Sequence, residues 1–136
     1  MKNKKHYLFE IKTITEEHGS LNVIEENKNI PFKIKRIFYE YGANRNIIRG
    51  NHANKNSRFC FIALSGSCDV IVEDGIGKTI YHLDKPNKVL YLDNMVWKTM
   101  TNFSEDCVLL VLSDCFYDKD EYIKDFNDYL ICLSKS

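Results

Sequence analysis

The residue best suited to acid–base chemistry is His52, which lies in the polar stretch RGNHANKN before an apolar, strand-like run. Metal-binding barrels often carry two histidines at such a loop in the pattern H-x-H, since residues i and i+2 of a strand face the same way. Here Asn54 holds the second place. The loop is therefore either a metal site that lacks one imidazole or a site that uses one histidine for another purpose.

The charges near this loop favour an anion over a cation. The later strand VWKTMTN carries Lys98 where a third histidine ligand would fall, and Arg58 or a neighbour occupies the place of a carboxylate ligand. Asparagine is a poor ligand for borderline divalent metals, and two positive charges repel a cation. We therefore predict that this site holds no metal.

A metal-free pocket would use His52 as a proton carrier, because an imidazole with a pKa of about 6.5 takes up and returns a proton near neutral pH. Arginines bind phosphate oxygens through paired N–H groups, and aromatic rings offer surfaces on which a base or sugar can stack. Each candidate has a structural alternative, either as an exposed charge or as a core aromatic. These candidates are Arg36, Arg49, Trp97, Tyr39 and Tyr91.

Composition is that of one globular domain, which we place over residues 1–136. Nineteen basic residues balance nineteen acidic ones, so nucleic acid is not an expected partner. No run approaches a signal sequence or the roughly 20 apolar residues of a membrane span. The five cysteines lack C-x-x-C spacing and are predicted to be free thiols, mostly buried, in a cytoplasmic protein.

Strand patterns dominate the chain. Roughly nine or ten short, turn-bounded runs alternate apolar and polar residues, which predicts an all-β fold closed into a barrel or jelly roll. The continuous run RFCFIAL predicts a strand covered on both faces, and Asp74–Gly77 a hairpin turn. In the tail, the spacing of Tyr122, Phe126, Tyr129 or Leu130, and Leu133 predicts one amphipathic helix. Its solvated start would hold the acidic residues Asp118, Asp120 and Glu121 in or before the first turn.

Several longer segments carry a family resemblance. GSLNVIEENKNIPFKIKRIFY, RGNHANK, SGSCDVIVEDG, LDKPNKVLYL and NFSEDCVLLVLSDCFYDKDEYIKDFNDYL together resemble the dTDP-sugar 3,4-ketoisomerases, small dimeric cupins. The similarity runs from about His18 to Tyr129 in the same order and with near-constant spacing. It implies a cupin-type jelly-roll barrel with one C-terminal α-helix.

The resemblance also implies a reaction. The substrate would be dTDP-4-keto-6-deoxy-glucose, whose C3 proton is removed and whose C4 is protonated through an enediol. The carbonyl moves by proton transfer alone, so no cofactor is expected. Relatives assemble as homodimers that exchange N-terminal strands, and their products lead to 3-amino sugars of surface polysaccharides.

Functional residues of the family carry over unevenly. Arg49, Gly50 and His52 match its R-G-x-H-A-H motif, but Asn54 replaces the second histidine. Phe38 stands where relatives have a tyrosine implicated in proton transfer, and a residue pair linked to product stereochemistry falls at His18 and Lys98. The predicted catalytic set is His52, Asn54, Lys98 and His18. The predicted substrate-binding set is Arg36, Tyr39, Arg49, Phe38, Trp97 and Asn102.

These departures leave alternatives open. Asparagine does not exchange protons near neutral pH, so two imidazoles cannot share the work. The chain is expected to be a ketoisomerase that depends on His52, with water, Lys98 or His18 supplying the second proton. The alternatives are a nucleotide-sugar-binding cupin with impaired catalysis, or an isomerase or epimerase of another nucleotide sugar.

Overall fold

The computed structural model describes residues 4–135 as a run of short antiparallel strands followed by one α-helix. This confirms the predicted all-β chain with a C-terminal helix, and the ends of the predicted 1–136 domain lie outside the described residues. The elements are β1 (His6–Glu10), β2 (Thr13–Glu16), β3 (Gly19–Asn22), β4 (Arg36–Glu40), β5 (Arg49–Asn54), β6 (Phe59–Ser65), β7 (Cys68–Glu73), β8 (Lys78–Leu83), β9 (Lys88–Leu92), β10 (Trp97–Thr101), β11 (Val108–Ser113), a 3₁₀ helix (Lys119–Glu121), β12 (Tyr122–Ile123) and α1 (Phe126–Ser134).

Two five-stranded sheets form the barrel. The first sheet has the order β1-β9-β6-β11-β4 and the second sheet the order β12-β5-β10-β7-β8, while β2 and β3 form a separate hairpin. Phe59 and Phe61 of the first sheet share one buried cluster with Val70 and Val72 of the second. The sheets therefore face each other across an apolar core, as in a cupin-type jelly roll.

Strand β6 is buried on both faces, as its continuous apolar run predicts. Phe59 and Phe61 point into the core between the sheets, whereas Cys60 and Ile62 belong to a second buried cluster on the outer face of the first sheet. That cluster is covered by the segment between β3 and β4, which contributes Phe32 among others. The strand consequently fixes the centre of the first sheet.

A bulge in β5 sets the direction of His52. Lys98 pairs with His52 and Thr99 with Gly50, so Asn51 is an extra residue in the ladder. Gly50 and Asn51 have φ values of 80° and 60°. A Cβ on Gly50 would meet the Lys98 carbonyl oxygen at 3.0 Å, so the positive φ and this close approach both favour glycine. Such bulges commonly re-aim a neighbouring side chain.

The tail differs from the single helix that its spacing predicts. Glu121 ends a 3₁₀ helix that Asp118 caps, and Tyr122 belongs to the short strand β12, which pairs with β5. The α-helix begins only at Phe126, where the Asp125 carboxylate accepts a hydrogen bond from the Asp128 amide. The apolar spacing was read correctly from Phe126 onward, but it began in a strand that the tertiary pairing stabilises.

The remaining local predictions agree with the structure. Glu17 and His18 form the turn between β2 and β3, and Asp74–Gly77 connects β7 with β8. None of the five cysteines forms a disulfide within residues 4–135, and three of them are buried. In the same range of residues, no helix combines the length and the apolar character that a membrane span needs.

Candidate active site

A cavity of about 650 Å³ opens between the two sheets at one end of the barrel, and it is large enough for a nucleotide sugar's reacting hexose. We call it the cup. Its lining combines one histidine, several cationic side chains and a group of aromatic and aliphatic ones: Arg36, Phe38, Glu40, Ile47, Ile48, Arg49, Gly50, His52, Phe59, Phe61, Lys98, Met100, Tyr117 and Tyr122.

His52 lines the cup from β5 and is held as a neutral base. Burial, followed by the nearby charge of Lys98, lowers the pKa of His52 to about 4. The imidazole packs beside the Tyr122 ring at 4.8 Å between centroids. An uncharged imidazole at neutral pH can accept a proton from a substrate carbon.

Lys98 is the second titratable group on this wall. It is only 3% exposed, its Nζ donates a 2.7 Å hydrogen bond to Asn54 Oδ1, and it lies 4.4 Å from the centre of the Phe59 ring. Burial lowers the pKa of Lys98 to about 7, with Arg36 acting in the same direction and Glu121 opposing it. The amine can therefore both donate and accept a proton near neutral pH.

Glu121 is a buried residue of this region that the sequence pattern assigned to a solvated helix start. Its carboxylate accepts backbone hydrogen bonds from Asn56 and Ser57, at 2.8 and 2.9 Å, and a further bond from the Ser57 hydroxyl. Burial acts to raise the pKa of Glu121, yet these hydrogen bonds hold it below its usual range. Glu121 thus ties the segment before β12 to the end of β5 and supplies negative charge behind Lys98.

Arg36 enters the cup from the first sheet, among three aromatic rings. Its guanidinium carbon lies 5.3 Å from the Phe38 ring centre, 5.9 Å from that of Phe59 and 5.8 Å from that of Tyr117. Its Nε and Nη2 are buried and find no hydrogen-bond partner among the described residues. Buried donors normally have partners, so these two are available to oxygen atoms of a bound ligand.

Arg49 and Glu40 form an ion pair in the cup lining, with Arg49 Nε 3.1 Å from Glu40 Oε2. The other carboxylate oxygen, Glu40 Oε1, is buried and without a hydrogen-bond partner in the part of the chain described. It can accept a hydrogen bond from a ligand hydroxyl. The pair therefore offers one free acceptor beside a partly exposed guanidinium.

Two aromatic residues predicted to contact the ligand lie outside the cup. Lys98 faces inward, so its neighbour Trp97 points to the opposite face of β10, where it packs under α1 against Phe126. Tyr39 alternates in the same way with Phe38 and is 61% exposed on the outer face of β4. Of the predicted aromatic contacts, Phe38 is the one that lines the cup, and Tyr91 is buried in the outer cluster.

Two polar residues predicted to act in the site, Asn102 and His18, lie elsewhere in the structure. Asn102 follows β10, where it accepts a hydrogen bond from Arg45 and donates one to Asp69 instead of lining the cup. His18 sits at the tip of the β2–β3 hairpin with its side chain 93% exposed. Within one chain, His18 and Asn102 therefore do not join His52, and only a second subunit could bring His18 to a cup.

The donor set around His52 is a poor fit for a metal ion. His52 is the imidazole in the lining, and Lys98 donates to Asn54 where a further ligand would be needed. No group of three or more histidine, cysteine or acidic side chains is placed to hold a metal among residues 4–135. The chemistry of the cup is accordingly derived from its protein side chains.

The facing sheets and the ligand-sized cup define a cupin-type barrel, and comparison with known proteins narrows the class. The family model described as FdtA: WxcM-like, C-terminal matches residues 4–134. The TDP-4-oxo-6-deoxy-alpha-D-glucose-3,4-oxoisomerase of Aneurinibacillus thermoaerophilus is 40% identical over 135 residues, which cover 99% of this chain and 95% of that protein.

Solved structures agree. WlaRA, a TDP-fucose-3,4-ketoisomerase from Campylobacter jejuni, is 46% identical with a TM-score of 0.90, covering 95% of this chain and 96% of that one. QdtA, a sugar 3,4-ketoisomerase from Thermoanaerobacterium thermosaccharolyticum solved with TDP, is 34% identical with a TM-score of 0.93, covering 96% of each chain. This chain belongs to the FdtA, WxcM-like family, and it is an enzyme of the isomerase class. The family recognised from the sequence motifs is thereby confirmed.

Proposed function

We propose that this enzyme converts dTDP-4-keto-6-deoxy-glucose to a dTDP-3-keto-6-deoxy-hexose by proton transfer through an enediol. The observation that carries the proposal is His52, a neutral, half-buried imidazole that lines a cup containing cationic side chains. Removing a proton next to a carbonyl leaves an enediolate, whose negative charge Arg36 and Lys98 would stabilise. The relatives named above, which act on TDP sugars, support the same substrate class.

A coupled assay tests this function. The protein is incubated with dTDP-4-keto-6-deoxy-glucose and a 3-aminotransferase, and the 3-amino sugar is detected by mass spectrometry. A 3-amino sugar that forms with the wild-type protein but not with a His52 variant supports the proposal. Failure to detect the 3-amino sugar at any enzyme concentration contradicts it. Tight dTDP binding without exchange of the C3 proton in heavy water would instead indicate a binding protein with impaired catalysis.

We further propose a homodimer in which the β2–β3 hairpin crosses to the partner subunit. The hairpin is exposed along almost its whole length and carries the apolar side chains of Ile14 and Leu21. Strand β4 is an edge of the first sheet, with Ile37 and Tyr39 exposed on its outer face. An isolated hairpin and an apolar edge strand are both stabilised by pairing with another chain. Exchange of the hairpin would bring His18 towards the partner's cup.

Sedimentation tests the dimer directly. A stable monomer at micromolar concentration would contradict the proposal, whereas Leu21→Asp should shift a dimer towards monomer. Ile76 is exposed in the β7–β8 turn and is distant in sequence from the β2–β3 hairpin and from β4. Ile76→Asp therefore serves as the matched control.

The cellular role follows from the product. We propose that the 3-keto sugar is aminated to a 3-amino-3,6-dideoxysugar for surface polysaccharide such as lipopolysaccharide O-antigen. A cytoplasmic location is part of this proposal and is supported by the five cysteines, which form no disulfide within residues 4–135, as is typical of a reducing compartment. Loss of a 3-amino sugar from the polysaccharide of a deletion strain is the expected phenotype, and an unchanged sugar composition would contradict the role.

A further inference from the structure

Within one chain, the cup places two side chains that can exchange protons, His52 and Lys98, on the same wall. His52 on β5 and Lys98 on β10 are direct cross-strand partners in the second sheet. The facing wall, from the first sheet, presents the rings of Phe38 and Phe59 and the guanidinium of Arg36. Neither a phenyl ring nor an arginine exchanges protons near neutral pH.

The other polar side chains of the lining do not change this asymmetry. Glu40 lies on the first sheet, where its carboxylate is ion-paired with Arg49 and its free oxygen, Oε1, serves as a hydrogen-bond acceptor, not as a proton donor to carbon. Tyr117 follows β11 and is 66% exposed, and Tyr122 belongs to the second sheet beside His52. A hexose ring lying between the sheets therefore turns one face to His52 and Lys98 and its other face to aromatic rings.

We propose that this enzyme removes the C3 proton and protonates C4 on the same face of the sugar, so that its product has the C4 configuration of galactose. The proposal rests on the proposed ketoisomerase function and specifies its product. In glucose the hydrogens on C3 and C4 lie on opposite faces of the ring, whereas in galactose they lie on the same face. One imidazole that serves both carbons from one side can form only the second arrangement.

The proton balance closes with two side chains. His52 takes the proton from C3, the C3=C4 double bond forms, and the C4 oxygen takes a proton from the Lys98 ammonium. Lys98 then accepts the proton of the C3 hydroxyl as the C3 carbonyl forms, and His52 returns its proton to C4. One hydrogen has moved from C3 to C4 and one from oxygen to oxygen, with no change in redox state.

Arg36 completes this scheme from the opposite wall. Its unpaired Nε and Nη2 can hydrogen-bond the enediolate oxygens without supplying a proton. It stabilises the intermediate while it leaves protonation to the His52 side. The asymmetry between the walls therefore controls the face of attack and requires no additional acid.

Proton NMR of the first product decides the configuration. The protein is incubated with dTDP-4-keto-6-deoxy-glucose, and the H4–H5 coupling of the 3-keto sugar is followed from the earliest detectable conversion. A small coupling, from the equatorial H4 of a galactose-configured product, is expected. A large coupling from the start marks a glucose-configured product and overturns the inference alone. Absence of any 3-keto product overturns the proposed function, and this inference with it.

A lysine series tests the oxygen-to-oxygen transfer. Lys98→Arg keeps the positive charge but cannot exchange a proton, so turnover should fall by roughly 10²–10⁴ while the dissociation constant for dTDP changes little. Lys98→Met should lose at least as much. Lys98→Arg with wild-type turnover would show that Lys98 acts only as a charge and would overturn its role as proton carrier.

Discussion

The two walls of the cup have the same strand architecture but opposite chemistry. On the second sheet, the half-buried His52 and the buried Lys98 are cross-strand partners with lowered pKa values, and hydrogen bonds around Asn54 and Glu121 hold this wall in place. On the first sheet, the lining is mainly aromatic, with the guanidinium of Arg36 set among the rings. The two sheets thus form one barrel, but the side chains proposed to move protons, His52 and Lys98, both lie on the second sheet.

Removing His52, the proposed base on the second-sheet wall of the cup, should have the largest effect. His52→Asn keeps a polar side chain of similar size but cannot accept a proton, so turnover should fall by roughly 10⁴. Calorimetric dTDP binding should remain. His82, which is half exposed and lies within hydrogen-bond distance of Asp69 on the second sheet, provides the control substitution His82→Asn. Retention of more than a tenth of the activity in His52→Asn would contradict the assignment.

Removing Glu121, which supports the second-sheet wall of the cup, should have the next largest effect. Glu121→Ala leaves the amides of Asn56 and Ser57 and the Ser57 hydroxyl without their acceptor, so the free energy of unfolding should fall by about 3 kcal/mol or more. Urea unfolding measures the change. Exposed Glu105→Ala is the control and should change stability by less than about 0.5 kcal/mol. Equal effects of the two substitutions would contradict the buried role of Glu121.

The pH dependence of stability should separate Lys98 from other groups. Its pKa falls from 10.5 to about 7 on folding, so the unfolded chain binds more protons between those values and Lys98 contributes stability that rises with pH there. Buried thiols titrate in the same range with the opposite sign. The wild type minus Lys98→Met difference cancels their contribution and should increase from pH 7 to pH 9. A flat difference would contradict the lowered pKa.

Adding a proton donor to the aromatic wall should have the smallest effect. Phe38→Tyr places a hydroxyl on the wall that faces His52 and should change the rate by less than about tenfold. Its informative readout is configuration: a detectable share of glucose-configured product would sharpen the contrast between the walls. Phe38→Leu, which adds no donor, should keep the wild-type configuration, and a changed configuration there would contradict the explanation.

The sequence was most informative where a pattern depends on neighbours along one strand. The period-two alternation of a strand puts Phe38 and Tyr39 on opposite faces of β4, as the structure shows. The same alternation puts Trp97 and Lys98 on opposite faces of β10. A tryptophan ring is well suited to stacking on a base or sugar, which favoured a binding role for Trp97. That prediction is wrong because the ring lies outside the cup. Burial on both faces of β6 was readable because a continuous apolar run needs two covered faces.

Glu121 and Tyr122 show where such patterns fail. Both belong to a stretch with helical apolar spacing, and acidic residues near a helix start are normally solvated. Pairing of β12 with β5 overrides the helix, and hydrogen bonds from Asn56 and Ser57 offset the cost of burying the carboxylate. No local signal in the sequence reports these partners, which lie more than sixty positions away.

By itself, the sequence determined the strand content, the cysteines without disulfide spacing, the family and the presence of a single histidine in its motif loop. These properties follow from composition, short-range periodicity and ordered motifs, all of which are local. Only the tertiary structure decided that His52 and Lys98 share one wall, that aromatic rings face them, and that Glu121 lies behind them. Those relations arise from strand pairing and a bulge between distant segments, and it is this long-range geometry that sets the burial, the pKa values and the available face of a bound sugar.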